Sequence, residues 1–270
     1  MAAYSIEPKP PYLLAIGSYA VHGVASLKTF IKILGSSILP VPSLVLSGLT
    51  NIAGIKKFEL PFAELLENTL ELAALRKQQL IFYTGYLGSA EQAEVVASMI
   101  KKYGSIIKTV ITDPVCGDNG RAYVSPEVIN HWAEIIRLSD IVTPNITELK
   151  LITGHAADAG EPALFYVEAF KNLYPDTQLL LSSYAANNEQ TGVQLHKGSL
   201  LFEFSLPLLP QSFGGSGDLL LALFIRGHFF NHLSIEDALR SATNLTYRII
   251  KFSIANGSND LLLNDDLLYN

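Results

Sequence analysis

The sequence predicts an α/β protein built on a mostly parallel sheet with helices covering both faces. Three observations lead there. Short apolar runs alternate with helix-length segments along most of the chain. Runs such as Leu13-Leu14-Ala15-Ile16 are continuous, as strands buried on both faces require. Polar residues gather where the runs end, which is where open parallel sheets bind ligands.

The elements follow in order. Residues 12–17 read as a buried strand ending at a glycine turn, with Ser26 as the cap of a helix running to Leu34. Residues 38–46 form a strand whose Pro40 and Pro42 suit an edge. Helices are expected at 61–76 and 90–102, with strands at 80–83 and 108–112. Beyond them come a helix after Pro126, a short strand at 140–142, helices from about Thr147 and over 165–173, and a strand at 178–181. Between Thr191 and Leu206 apolar and polar residues alternate around Lys197-Gly198, the pattern of a hairpin. Two long helices close the chain, one after residue 217 and one from Ser234 to about Ala255, before a leucine-rich tail.

Composition narrows the function. A chain of 270 residues, 49% apolar and 16% charged, supports one large core, and residues 1–270 are expected to form a single domain. No uninterrupted apolar run reaches membrane-spanning length, and a net charge of −6 offers nucleic acid no basic footprint, so neither partner is expected. Cys116 stands alone, which excludes an intrachain disulfide and a cysteine-based zinc cluster and points to a reducing compartment. Glu7, Pro8, Pro10 and Pro11 break up the N-terminus before an apolar run forms, so no secretory signal is expected and the cytoplasm follows.

Three stretches carry chemistry. In Phe213-Gly214-Gly215-Ser216-Gly217-Asp218, three glycines let backbone N–H groups converge at the start of an apolar helix, an anion site with a carboxylate in its first turn. Asp218 either caps that helix or acts as a general base while the amides of Gly215, Ser216 and Gly217 hold a transferring phosphoryl group. In Asp113-Pro114-Val115-Cys116-Gly117-Asp118-Asn119-Gly120, Asp113 is either part of an Asp-Pro turn or a magnesium ligand. In Thr143-Pro144-Asn145-Ile146-Thr147-Glu148, the glutamate either complements a helix dipole or holds magnesium through water. His228 and His232, four apart, could share a helix face and a metal, but no third ligand accompanies them and packing or surface roles fit better. Trp132 and the terminal leucines read as packing.

These stretches, in this order and spacing, resemble the ribokinase superfamily, and most closely its pyridoxal kinase branch. The similarity extends to Ser18-x-x-Val21-x-Gly23-x-x-Ser26-Leu27, Ser47-x-x-Thr50 and Thr84-Gly85-Tyr86-Leu87-Gly88, covering nearly the whole chain. It departs where Leu49 precedes Thr50, since many members carry histidine there, and where Ser216 replaces a commoner threonine.

The resemblance implies a three-layer α/β/α sandwich, ATP with magnesium, phosphorylation of the 5′-hydroxymethyl group of pyridoxal, pyridoxine or pyridoxamine, and a homodimer. It makes Asp218 the base and Gly215, Ser216 and Gly217 the anion hole. Asp113 and Glu148 serve the magnesium–ATP side, Thr143 lies near the phosphates or a monovalent cation, and Ser182 or Ser183 lies near ATP phosphate. Ser18 and Thr50, with Asn51 beside it, correspond to residues that bond the pyridine substituents, and Tyr86 lines that pocket. A hydroxymethylpyrimidine kinase on the same fold is the alternative, followed by a non-catalytic B6-binding protein. A dinucleotide-dependent oxidoreductase fits poorly, because no glycine fingerprint follows the first strand.

Overall fold

The computed structural model describes residues 11–49, 53–184 and 189–269. The chain opens with β1 (Tyr12–Ala20), α1 (Leu27–Leu34), β2 (Ile38–Leu46) and a two-residue β3 (Lys57–Phe58). Next come α2 (Phe62–Leu75), β4 (Leu80–Thr84), α3 (Ala90–Lys102) and β5 (Ile107–Thr112). A small ribbon, β6 (Gly117–Asp118) and β7 (Arg121–Ala122), precedes α4 (Pro126–Ile136), β8 (Ile141–Val142), α5 (Ile146–Ile152) and α6 (Ala163–Leu173). The last part holds β9 (Gln178–Tyr184), the hairpin β10 (Gln190–Lys197) and β11 (Leu200–Pro207), then α7 (Ser216–Ile225), α8 (Ile235–Ala255) and α9 (Asp265–Tyr269).

Nine of these strands form one sheet in the order β11-β10-β9-β8-β5-β4-β1-β2-β3. The six from β9 to β2 pair in parallel, while the hairpin and β3 add antiparallel edges. Successive side chains of a strand point to opposite faces, and here both faces are covered. Leu13 and Ala15 join a core with α1, α7 and α8, whereas Leu14 and Ile16 join one with α2 to α6. Each such leucine, withdrawn completely from water, contributes about 1.5–3 kcal/mol. β2 takes its prolines because only the two-residue β3 pairs with its outer side.

The strand order reverses at β1, which lies between β2 and β4. Connections leave these strands in opposite directions, opening a crevice at their carboxyl ends. There β1 carries an irregularity between Gly17 and Ser18.

Three expectations need correction. Ser26 occupies the N-cap position of α1, but at φ 50° its side chain makes no capping bond. The strand expected to stop at Leu181 continues through Ser182 and Ser183, and a register shift against β10 leaves Ser183 at φ 53°. His228 lies in a π-turn while His232 lies beyond it at φ 57°, so the two do not share a helix face. His228 instead stacks on Phe224 and bonds the Leu233 carbonyl through Nδ1 at 2.9 Å. The tail folds as α9, and Leu261 and Leu268 are buried against the α7–α8 layer, in keeping with the packing role read for the terminal leucines.

Candidate active site

The glycine stretch forms the N-terminus of α7 as the sequence suggests. Gly215 adopts φ 86°, ψ 2°, a left-handed conformation that costs other residues energy. A Cβ there would also stand 2.7 Å from the Val24 carbonyl oxygen and 3.0 Å from Ala25. Glycine thus lets the start of α7 pack directly on the loop after β1. No side chain caps α7, so its first-turn amides face outward. Of the three expected donors, Ser216 makes a long bond back to the Phe213 carbonyl, 3.3 Å.

Asp218 sits in that first turn, half-buried, and its Oδ2 accepts a 2.8 Å hydrogen bond from the backbone N–H of Ser26. That donor lies 192 residues away in sequence, so Ser26 serves the site through its backbone and not its side chain. Burial pushes the carboxyl up to about 6, partly countered by the Ser26 bond.

A second carboxylate group faces the same cleft. Asp113 follows β5 and is 8% exposed, and Tyr83 of β4 donates its phenol to Oδ2 at 3.2 Å. Burial and the nearby Asp218 hold Asp113 well above the usual carboxylate range, although the Tyr83 bond opposes this. Glu148 takes part in a capping box with Asn145 at the start of α5. Its oxygens accept from the amides of Asn145, 2.8 Å, and Cys116, 3.3 Å, and burial together with Asp113 raises it as well. Glu148 is thus the helix-start partner the sequence suggests, and it also lines the cleft.

Thr143, Ser182, Ser183 and residues 214–218 complete this cleft. Its lining includes no lysine or arginine. Among the described residues no three histidine, cysteine or acidic side chains are grouped to ligate a metal by themselves. Two buried carboxylates, Asp113 raised by burial and by Asp218, and Glu148 raised by burial and by Asp113, nevertheless suit magnesium, which takes one or two protein carboxylates and completes its shell with waters and phosphate oxygens.

Ser18 and Tyr86 do not join this cleft. Ser18 stands after the β1 irregularity, opposite Leu44. Tyr86 packs with Ala20, Leu44 and Leu46 and borders a separate cleft beside α2 and α3. Thr50 and Asn51 lie outside the described residues.

Tyr83, the Ser26 amide and a further pocket sharing Ser182, Ser183, Ser216 and Gly217 with this cleft are not signalled in the sequence. This pocket, about 800 Å³, is walled by Val193, Leu208, Leu220, Tyr247 and Ile250. Thr243, Thr246, Tyr247 and Ile250 recur at three- and four-residue spacing on α8, a signal indistinguishable in sequence from a core-facing stripe.

A mostly parallel sheet between two helical layers, with a glycine-rich helix start and carboxylates at its carboxyl edge, is the ribokinase-like α/β architecture. A family model described as phosphomethylpyrimidine kinase matches residues 25–264, and the chain belongs to that family. A candidate phosphomethylpyrimidine kinase of Bacteroides thetaiotaomicron, solved with pyridoxal, superposes with a TM-score of 0.83 at 25% identity, over 97% of this chain and 96% of that one. The chain is 25% identical over 231 residues to a pyridoxal kinase of Arabidopsis thaliana, covering 79% of this chain and 72% of that protein. It is 27% identical over 223 residues to a candidate pyridoxal kinase of Schizosaccharomyces pombe, covering 78% and 72%. Across such curated relatives the match spans 46–72% of their own length.

Proposed function

We propose that the chain is a single-domain, ATP-dependent kinase that phosphorylates the 5′-hydroxymethyl group of pyridoxal, pyridoxine or pyridoxamine. The observation that carries this is Asp218, a carboxylate of raised pKa tethered at the mouth of an amide cradle. The curated pyridoxal kinases among its relatives, and the family member solved with pyridoxal, support the substrate class.

In this reading Asp218 takes the proton of the substrate hydroxyl as its oxygen attacks the terminal phosphorus and the bond to the bridging oxygen of the nucleoside diphosphate breaks. The Ser26 amide holds Oδ2 and leaves Oδ1 for the proton. The amides of Gly215, Ser216 and Gly217 stabilise charge on the phosphoryl oxygens. Bound magnesium supplies charge neutralisation and alignment of the phosphates, with Asp113 and Glu148 the residues that would hold it. Thr143 and Ser182 or Ser183 lie along the phosphate path, beside a monovalent cation at Thr143 if one is used. The apolar pocket by Tyr247 takes the nucleotide base, Ser18, Thr50, Asn51 and Tyr86 serve the vitamer ring, and the proposal extends to a cytoplasmic homodimer.

A general base must be ionised to work, so kcat/KM is expected to fall tenfold per pH unit as the pH drops below about 6 and to level off above it. A pH profile of pyridoxal phosphorylation measures this, and a profile flat down to pH 5 removes the base role.

The family description favours a second reading, a hydroxymethylpyrimidine kinase. Both substrates offer a primary alcohol on a nitrogen heteroaromatic ring. Steady-state turnover of pyridoxal and of hydroxymethylaminopyrimidine, each with MgATP, decides between them. Preference for pyridoxal is expected, and preference for the pyrimidine overturns the assignment. Binding of pyridoxal in calorimetry without ATP consumption would instead indicate a non-catalytic B6-binding protein.

A further inference from the structure

We propose that Tyr83 is a positioning residue for Asp113, fixing one carboxylate oxygen so that the other is presented to the cleft as a single-oxygen ligand for nucleotide-bound magnesium. The inference rests on the kinase reading above and concerns a residue that does not itself line the cleft.

Tyr83 lies in the middle of the cluster yet behind it. Its ring is 2% exposed and packs on Phe30 with centroids 4.5 Å apart, so the phenol has little freedom to swing. Adjacent side chains of β4 diverge: Phe82 enters the layer of α2 to α6, whereas Tyr83 enters the layer of α1 and α7, from which Asp218 also comes. Glycine at 85 leaves room for the hydroxyl, since a Cβ there would come within 2.9 Å of it. With its ring fixed against Phe30, it donates to Asp113 Oδ2, and among the described residues it is the only hydrogen-bond partner of that carboxylate. Glu148, by contrast, is held by two backbone amides.

The consequence follows from what magnesium demands. Its coordination is close to octahedral with short bonds, and a carboxylate free to rotate would pay rotational entropy on each binding event or offer both oxygens at once. A phenol locked onto one oxygen removes both problems. A tyrosine present only to fill the core would do neither, because its ring and not its hydroxyl would carry the role.

Calorimetric titration separates the two. ADP is titrated into wild type and Tyr83→Phe, once with excess magnesium and once in EDTA. The gain in ADP affinity that magnesium confers is expected to shrink roughly fivefold or more in the variant, with metal-free affinity within about twofold of wild type. In an Asp113→Asn background Tyr83→Phe should change that gain no further. An unchanged magnesium gain, or equal losses with and without metal, overturns the proposal. Should Tyr83→Phe not fold, Gly85→Ala retains the tyrosine but crowds its hydroxyl most closely, at 2.9 Å against 3.3 Å for the ring edge, and a full magnesium gain in that variant overturns it equally. A wild-type protein whose ADP binding ignores magnesium would instead remove the magnesium–nucleotide reading on which the inference rests.

Discussion

Asp218→Asn is expected to lower kcat by about 10²–10⁴-fold while pyridoxal and MgATP continue to bind. The amide keeps the shape of the carboxylate and still accepts from the Ser26 N–H, so the start of α7 stays in place. What disappears is the proton acceptor. The stability of this variant provides an internal control, because the folded protein raises Asp218 from 3.8 to about 6. A carboxyl with a raised folded-state pKa favours folding in its protonated form, and the ionised form is penalised increasingly as pH rises from about 4 through 6. Removing the charge should therefore leave the melting temperature at pH 8 no lower than that of wild type. Initial-rate kinetics, with melting curves for both proteins, test the pair of expectations. An asparagine enzyme retaining a tenth or more of wild-type turnover would refute the assignment.

Gly215→Ala is expected to damage both fold and reaction. The left-handed backbone costs an alanine about 1–2 kcal/mol, and its Cβ meets the Val24 carbonyl, which is backbone and cannot rotate away. A total destabilisation of about 2–3 kcal/mol corresponds to a melting temperature roughly 4–12 °C lower. Relief of the clash also tilts the cradle away from its phosphate, for which about a 10²-fold loss of kcat is expected. Gly217→Ala serves as the comparison, because a Cβ there meets nothing within 4 Å. Its melting temperature should stay close to wild type, and if the two variants melt alike, the close approach of Gly215 to the Val24 segment is not what demands glycine.

Much of the scaffold could be read from sequence, for reasons visible in particular elements. β4 is clear because each of its five residues is buried, and Leu80 to Tyr83 make an apolar run before Thr84-Gly85. The α3 boundaries matched because Ser89 caps its start and Lys101 and Lys102 close it. The carboxylates at the strand ends were legible for the same reason, since a polar residue after a buried strand has few places to go. Ser26 was misread because a serine before a helix looks like a cap whichever group it uses, and its backbone partner is set by tertiary packing alone. Tyr83 was hidden inside a strand that needed no polar residue, and its partner comes from the neighbouring strand end. The pocket beside Tyr247 escaped because the same helical spacing serves a core and a ligand wall equally well.

The contact between residues 24–26 and α7 ties two functions to one piece of chain. Ala25 backs the phosphate cradle at Gly215, and the next residue tethers Asp218. If that segment swings outward, the base loses its anchor and the cradle its support in a single motion. Water reaching a bound nucleotide at that moment finds neither an ionised acceptor aimed at it nor amides set to receive the phosphoryl group. On the roles proposed above, the wiring of the loop itself would then discourage idle hydrolysis.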